Sequence, residues 1–246
     1  MFDKRFIGIS ITKRIKVYEK DKGVIFNEPV SNIIKTSNNE MMNVPDYWLN
    51  KNDLEKIIKS AVKIKKYTLR KPKLIICLPH ELTQNDCKKI VLDTVMNVGF
   101  SEAYIVDNLT AAAVGSNISI EEMEKKIFIY NFQDKYYISL IYAGGIIKVV
   151  NFNSNSLENE DILLHINELL TKLPADISNK FSQLKDKKQK EKLLEAWKDE
   201  HSKTLYLCVS DNNLSNIDMK KAGYMVKKME YNNCLINGVK KIINTI

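Results

Sequence analysis

The spacing of hydrophobic and polar residues predicts a chain in which strands and helices alternate. The run KLIICLP (73–79) is continuously apolar and ends at a proline, which indicates a strand buried on both faces. In DLEKIIKSAVKIKK (53–66) the apolar residues recur every three or four positions, which predicts an amphipathic helix. Similar patterns predict strands at 6–18, 23–34, 102–107, 127–150 and 204–210, helices at 83–98, 110–115, 161–173, 180–202 and 233–244, and a short helix followed by a strand or turn at 218–229.

The order of these elements indicates a fold of the α/β class that is built twice. Strand 73–79, helix 83–98 and strand 102–107 follow one another, which implies two parallel strands joined by a crossover helix. A division near residue 120 gives two halves, and each half opens with a strand-rich segment. We therefore predict a first domain at 1–120 and a second domain at 121–246.

Composition narrows the class of protein without giving a function. The 246 residues are 44% hydrophobic and 28% charged, which is typical of globular proteins. No run approaches the ~20 apolar residues of a membrane span, and the charged N-terminus does not resemble a secretory signal. The four cysteines lack the paired spacing of a metal site, so we expect reduced thiols in a cytoplasmic protein.

The net charge of +8 permits two interpretations. The lysine clusters at 63–66, 185–192 and 220–228 are explained most simply as solvated helix faces, and an anionic membrane surface is the alternative. Because no nucleic-acid-binding motif accompanies the charge, we expect no nucleic-acid partner. The glycine count of eight is low for a protein that binds nucleotide through glycine loops.

Several segments resemble the bacterial actin family MreB. GVIFNEPV (23–30) is similar to a G-I-V-L-N-E-P stretch of that family, and the strongest similarity covers residues 71–122. Residues 204–244 resemble the family's last strand, nucleotide loop and closing helix. The resemblance implies an actin-like (ribonuclease H-like) duplicated fold with IA-like and IIA-like subdomains, ATP with magnesium as the family's cofactor, and a cytoskeletal role in cell shape.

The chain departs from the family wherever the family contacts nucleotide. Glycine backbone lets N–H groups approach a phosphate closely, whereas bulky or acidic side chains block or repel it. The resemblance places the two phosphate loops, the water-positioning pair and the adenine loop at non-glycine, largely non-acidic residues. These ancestral positions are Ser10, Thr12, Lys13 and Arg14, then Phe132, Gln133 and Asp134, then Asn108 beside Asp107, and Ser210 with Asp211.

Four altered sites together predict that ATP hydrolysis is lost and that no cofactor is needed. The chain also has too little sequence for the family's outer subdomains, between Val30 and Pro45 and between Phe152 and Lys180. We therefore expect two inner subdomains with the outer subdomains reduced or missing. An aromatic face formed by Phe128, Tyr130 and Phe132 is then expected to fill the ancestral nucleotide cleft.

Other candidate residues carry weaker signals. His80, His165 and His201 lack metal-ligand spacing, so we expect no metal site, and Asp107 has no evident partner base. The loop YTLRKPK (67–73) lies where the family carries a membrane-insertion loop. Its membrane-contact candidates are Tyr67, Leu69, Arg70 and Lys71, although an ordinary basic loop explains them equally well.

These observations favour a degenerate MreB-like protein with no catalytic residues. We expect it to bind or co-assemble with actin-like filaments, including its own copies, at the inner face of the cell membrane. Two alternatives remain open, a weakly active actin-like ATPase and an actin-like scaffold of a pilus or secretion apparatus.

Overall fold

The computed structural model of the chain describes two compact units. The described residues are 5–34, 48, 50–62, 71–82, 85–132, 135–153, 159–171, 178–179, 182, 186–199, 201–209 and 219–246. One unit comprises Met1–Gly115 with Asn233–Ile246, and the other comprises Ser116–Asn232. Each unit is built around one five-stranded sheet.

The sheet of the first unit combines a meander with a parallel extension. Its strand order is β3-β2-β1-β4-β5. Strand β2 pairs antiparallel with both β1 and β3, whereas β4 runs parallel to β1 and to β5. The strands are β1 (Phe6–Ile11), β2 (Arg14–Glu19), β3 (Gly23–Pro29), β4 (Lys73–Leu78) and β5 (Glu102–Asp107).

The sheet of the second unit repeats this topology. Its order is β10-β9-β6-β7-β8, in which β7 pairs antiparallel with β6 and β8 while β9 runs parallel to β6 and β10. The duplication expected from the sequence is therefore present. The strands are β6 (Lys125–Phe132), β7 (Lys135–Tyr142), β8 (Gly145–Asn153), β9 (His201–Cys208) and β10 (Met225–Lys228).

Six helices of eight or more residues are described, and most lie where periodicity predicted them. They are α1 (Lys51–Ala61), α2 (Asn85–Val98), α3 (Asn108–Gly115), α4 (Asn159–Leu170), α5 (Lys187–Asp199) and α6 (Cys234–Thr245). One-turn 3-10 helices occupy Val30–Asn32, His80–Leu82 and Lys220–Ala222.

The prediction of one strand over 6–18 was wrong. The chain turns at Thr12 and Lys13, so that Ile11 pairs with Ile15 across a tight connection between two antiparallel strands. The apolar pattern continues through both strands because both are buried, and no glycine or proline marks the turn. Helix α3 also begins at Asn108, two residues before the predicted start, because Asp107 caps it.

The core of the first unit depends on close contact between α3, α6 and β1. A Cβ atom added at Gly238 of α6 would lie 1.9 Å from the carbonyl oxygen of Ala111 in α3, and one at Gly115 would lie 1.8 Å from that of Cys234. Gly8 of β1 similarly leaves room for Val239, whose Cγ1 would lie 2.2 Å from an added Cβ. The absence of side chains at these three positions lets the backbones approach.

Helix α6 therefore belongs to the first unit by its contacts. It packs against α3, β1, β2 and β4, and Lys241 Nζ donates to the carbonyl oxygen of Val114 at 2.7 Å. The division of the sequence into 1–120 and 121–246 placed this helix with the second half. The chain order suggested that placement, but the packing of Gly238 and Val239 brings the end of the chain back to its first strand.

The core of the second unit lies between its sheet and the helices α4 and α5. Ile127, Ile129 and Ile138 of the sheet form one apolar cluster with Ile166 of α4 and Trp197 of α5. Lys125 is 2% exposed, and its Nζ lies 3.9 Å from the centre of the Trp197 ring, so a cation–π contact accompanies its burial.

Few helices or strands are described in the two segments, 30–45 and 152–180, that were predicted to be too short for outer subdomains. The one after β3 holds the turn Val30–Asn32, and the one after β8 holds α4. Within the described residues, no strand of either connection joins a further sheet.

We expect Gly238→Ala to destabilise the chain. Alanine favours a helix by about 1 kcal/mol over glycine, but overpacking costs about 3 kcal/mol when the obstacle is backbone that cannot move aside. The free energy of unfolding, measured by urea titration, should fall by about 2 kcal/mol. Gly145→Ala is the control, since no atom lies within 4 Å of its added Cβ and its φ is not positive. Equal urea midpoints for the two variants would contradict the contact.

Candidate functional site

The carboxyl ends of three parallel strands bring polar residues of the first unit together. The register aligns Ser10 of β1 with Cys77 of β4, and Leu78 of β4 with Asp107 of β5. The segment after β4 begins with Pro79 and His80, while β5 continues directly into α3. Ligands of open α/β sheets commonly bind beyond such strand ends, which makes this edge the candidate site.

His80 and Asp107 form the central contact of the candidate site. Nδ1 of His80 lies 2.6 Å from Oδ2 of Asp107, and the two side chains are 33% and 22% exposed. The hydrogen bond from the imidazole to this carboxylate raises the pKa of His80, and burial opposes the rise only in part. The geometry is that of an imidazole oriented by a carboxylate.

Asp107 and Asn108 also fix the start of α3. The other oxygen of Asp107, Oδ1, accepts hydrogen bonds from the backbone N–H groups of Leu109 at 2.7 Å and Thr110 at 3.4 Å, as an N-cap residue does. Asn108 is buried, and its side-chain Oδ1 accepts a hydrogen bond from the backbone N–H of His80 at 3.0 Å. Both oxygens of the Asp107 carboxylate are therefore engaged.

The prediction that Asp107 has no partner base was wrong, because His80, considered from the sequence only as a metal ligand, lies beside it. The two residues are 27 positions apart, yet His80 lies just beyond the end of β4 and Asp107 is the last residue of the neighbouring β5. The sequence did contain a signal for this contact. The apolar runs 73–79 and 102–107 had been predicted to form parallel strands, and the two residues lie where these runs finish. Cys77, one residue from the end of β4, is fully buried, and burial raises its thiol pKa far above the usual range, so it is an unreactive core residue.

The turn between β1 and β2 contains the positions that the resemblance assigns to the first phosphate loop. Ser10 is buried within β1 at 3% exposure, while the N–H and Oγ1 of Thr12 bond the backbone of Arg14. The guanidinium of Arg14 donates to Asn27 of β3, from Nε to Oδ1 and from Nη2 to the carbonyl oxygen, each at 2.9 Å. Lys13 is exposed. The Arg14 side chain therefore links β2 to β3 rather than extending freely from the turn.

In the second unit, Phe132 ends β6 where the resemblance places the second phosphate loop. Its side chain is 5% exposed, and the chain turns back so that Phe132 pairs with Lys135. Phe128 and Tyr130 lie on the same face, with ring centres 6.1 Å apart, and Tyr130 also contacts Tyr231 at 5.9 Å. An aromatic, buried face is thus present on β6.

The remaining predicted site residues fall largely outside the described part of the chain. Among the described residues are Asn108 and Lys71, which is exposed just before β4. No cluster of three or more potential metal ligands occurs among the described residues, and no described helix is long and apolar enough to cross a bilayer. The residues that lie outside are Gln133, Asp134, Ser210, Asp211, Tyr67, Leu69 and Arg70.

Comparison with solved structures identifies the class of fold. MreB5 of Spiroplasma citri bound to AMPPNP superposes with a TM-score of 0.67 at 12% identity, covering 100% of this chain and 97% of that one. The MamK double helical filament superposes with a TM-score of 0.57 at 9% identity, covering 99% and 98%. Apo ParM of psk41 gives 0.54 at 9% identity, with 99% and 98% covered. The chain therefore has the actin-like fold.

The sequence also matches a family model. Residues 43–168, just over half of the chain, match the model of the MreB/Mbl protein family. The chain belongs to this family, as the resemblance of residues 71–122 had indicated. A comparison with curated protein sequences finds no match.

We expect the His80–Asp107 contact to make stability depend on pH. Because the folded pKa of His80 is raised, its contribution is fully present below about pH 6.5, the ordinary histidine value, and is lost as the pH rises through the raised pKa. The unfolding free energy of the wild type relative to His80→Gln should therefore shrink over that interval in urea titrations. Asp107→Asn preserves a cap-forming side chain and should abolish the pH-dependent difference. An NMR pKa of His80 that is unchanged in Asp107→Asn would contradict this account.

Proposed function

We propose that this chain is an MreB-like cytoskeletal protein that acts by binding rather than by hydrolysing ATP. It associates with actin-like filaments, its own copies included, at the inner face of the cell membrane, and it contributes to cell shape. Membership of the MreB/Mbl family supports the cytoskeletal role. Similarity to proteins solved as filaments, MamK and Alp12, supports self-association.

The observation that carries the non-catalytic part of the proposal is the state of the ancestral site residues. Magnesium prefers carboxylate oxygens and waters in open positions, and the carboxylate of Asp107 is engaged at both oxygens by His80 and by the start of α3. Ser10 offers a buried hydroxyl, and Phe132 offers a buried ring where a phosphate needs backbone N–H groups. These residues do not fit a magnesium nucleotide.

One observation favours a second candidate, a weakly active ATPase. An imidazole that is held by a carboxylate is the usual arrangement of a general base, and the His80–Asp107 pair is partly exposed at the strand ends. The pair lies at the strand ends to which the resemblance assigns the family's water-positioning acids. Nucleotide binding decides between the two candidates.

We expect magnesium ATP to leave the thermal stability of the chain unchanged. A ligand at 100 times its dissociation constant stabilises a protein by about 2.7 kcal/mol, which differential scanning fluorimetry detects readily. MreB5 of Spiroplasma citri, solved with AMPPNP and with ADP, is the positive control. A clear upward shift of this chain in millimolar nucleotide would contradict the proposal. If phosphate release then followed and His80→Gln abolished it, the ATPase candidate would replace the first.

We further propose that the basic loop at 67–73 contributes membrane contact. Lys71 is exposed at the end of this loop, and the sequence places Arg70, Tyr67 and Leu69 close to it. Each basic residue near an anionic surface contributes about 1 kcal/mol, so a cluster is needed for measurable binding.

We expect Arg70→Glu with Lys71→Glu to weaken binding to phosphatidylserine-containing vesicles by about thirtyfold, because two contributions of about 1 kcal/mol are lost. Vesicle co-sedimentation at low and high salt measures the effect. Lys187→Glu with Lys188→Glu makes the same charge change on exposed residues of α5. Equal losses in the two variants would indicate attraction by net charge and would argue against a specific loop.

A further inference from the structure

The two sheets present four edge strands within the described part of the chain, namely β3, β5, β8 and β10. An edge strand exposes backbone N–H and C=O groups that can pair with another chain. Natural proteins prevent such pairing with short edges, outward charges, prolines or bulges. An edge without these devices therefore indicates that a further strand pairs there.

Three of the four edges carry such devices. Strand β10 is four residues long, β3 ends in a carboxylate followed by a proline, and β5 begins with a carboxylate that is 46% exposed. The protective residues are Lys227 and Lys228 of β10, Glu28 and Pro29 of β3, and Glu102 of β5.

Strand β8 differs from the other three. It is nine residues long, GIIKVVNFN, and Lys148 is its single charged residue. The Nζ of Lys148 is held by Glu168 of α4, 3.0 Å from Oε1 and 3.2 Å from the carbonyl oxygen, and its side chain is only 11% exposed. The one residue that could protect the edge is therefore directed to the neighbouring helix.

Most of β8 is regular and has a defined orientation. Like β3, the strand has one register irregularity, at Ile147 near its start, but the six residues from Lys148 to Asn153 beyond it pair continuously with β7 and form the open part of the edge. Phe152 stacks on Tyr136 of β7 at 5.7 Å and on His165 of α4 at 5.0 Å, so its face of the strand packs on the core. Val149, Asn151 and Asn153 alternate onto the opposite face and carry no charge.

We propose that β8 pairs antiparallel with β8 of a second copy of this chain. The pairing is centred on Val150, which continues the sheet across a twofold axis. Lys148 then lies opposite Phe152 of the other copy, and Val149 lies opposite Asn151. Like charges opposite each other destabilise a sheet, and this register contains none, even though each chain carries a net charge of +8.

A second copy is favoured over an extended peptide for two reasons. The edge offers no exposed charge that could select a charged peptide, and two β8 strands in this register place no like charges opposite each other. The arrangement is isologous, so it closes at two chains and does not propagate as a filament. This inference does not depend on the function proposed above. A dimer formed through β8 can be told apart from a filament by its mass, because filament assembly produces species larger than a dimer.

Two matched double variants of the full-length chain test the register. Val149→Lys with Asn151→Lys places lysines opposite each other twice across the axis. Val149→Glu with Asn151→Lys places a carboxylate opposite an ammonium at the same two positions. Val24→Lys with Met225→Lys adds two charges at exposed positions of other edge strands, 54% and 66% exposed, as the control. Circular dichroism establishes that each variant is folded.

Sedimentation equilibrium should show a dimer for the wild type, for the control and for the oppositely charged pair. The two-lysine variant should dissociate at least about tenfold more readily, because two like-charge pairs are created. A wild type that stays monomeric at every soluble concentration would overturn the proposal and leave β8 to an extended peptide. Equal association of the two β8 variants would overturn it as well, since the strands would then not be opposed in this register.

Discussion

The first unit depends on the contact of two helix backbones through glycine. Gly115 and Gly238 allow α3 and α6 to approach until a single added carbon would meet a carbonyl oxygen at less than 2 Å. Gly8 lets the same helix lie directly on the central strand β1. Because α3 begins where β5 ends, the position of this helix pair also sets where Asp107 and Asn108 lie. The polar site is thus a consequence of apolar packing.

The strand ends of the first unit bring polar residues together within an actin-like fold. Parallel strands place Ser10, His80 and Asp107 along one edge of the sheet, as an actin-like fold requires of those segments. The side chains of His80 and Asp107 bond each other, and Asp107 also caps the start of α3. Under the proposed function the fold is retained for its surfaces, and the proposed pairing of β8 uses one of them on the second unit.

Much of this could be inferred from the sequence because it rests on local patterns. The continuous apolar run at 73–79 predicted β4, and apolar residues spaced three or four positions apart, such as Leu54, Ile57 and Ile58, predicted α1. The resemblance of residues 71–122 indicated the family. Local patterns failed at the turn after Ile11, where burial on both sides of the turn hides the break between two strands. They also could not show that Arg14 is held by Asn27, since β2 and β3 meet only when the meander forms.

The chain order and the periodicity of its residues were sufficient for most of the helices and strands and for the duplicated plan. Three features depended on tertiary structure: the return of α6 to the first unit, the pairing of His80 with Asp107, and the diversion of Lys148 to Glu168. The physical reason is the same in each case. These contacts join residues that are neighbours only through the order of strands in a sheet or the packing of a helix on it, and side-chain periodicity along one segment carries no information about which segment will lie beside it.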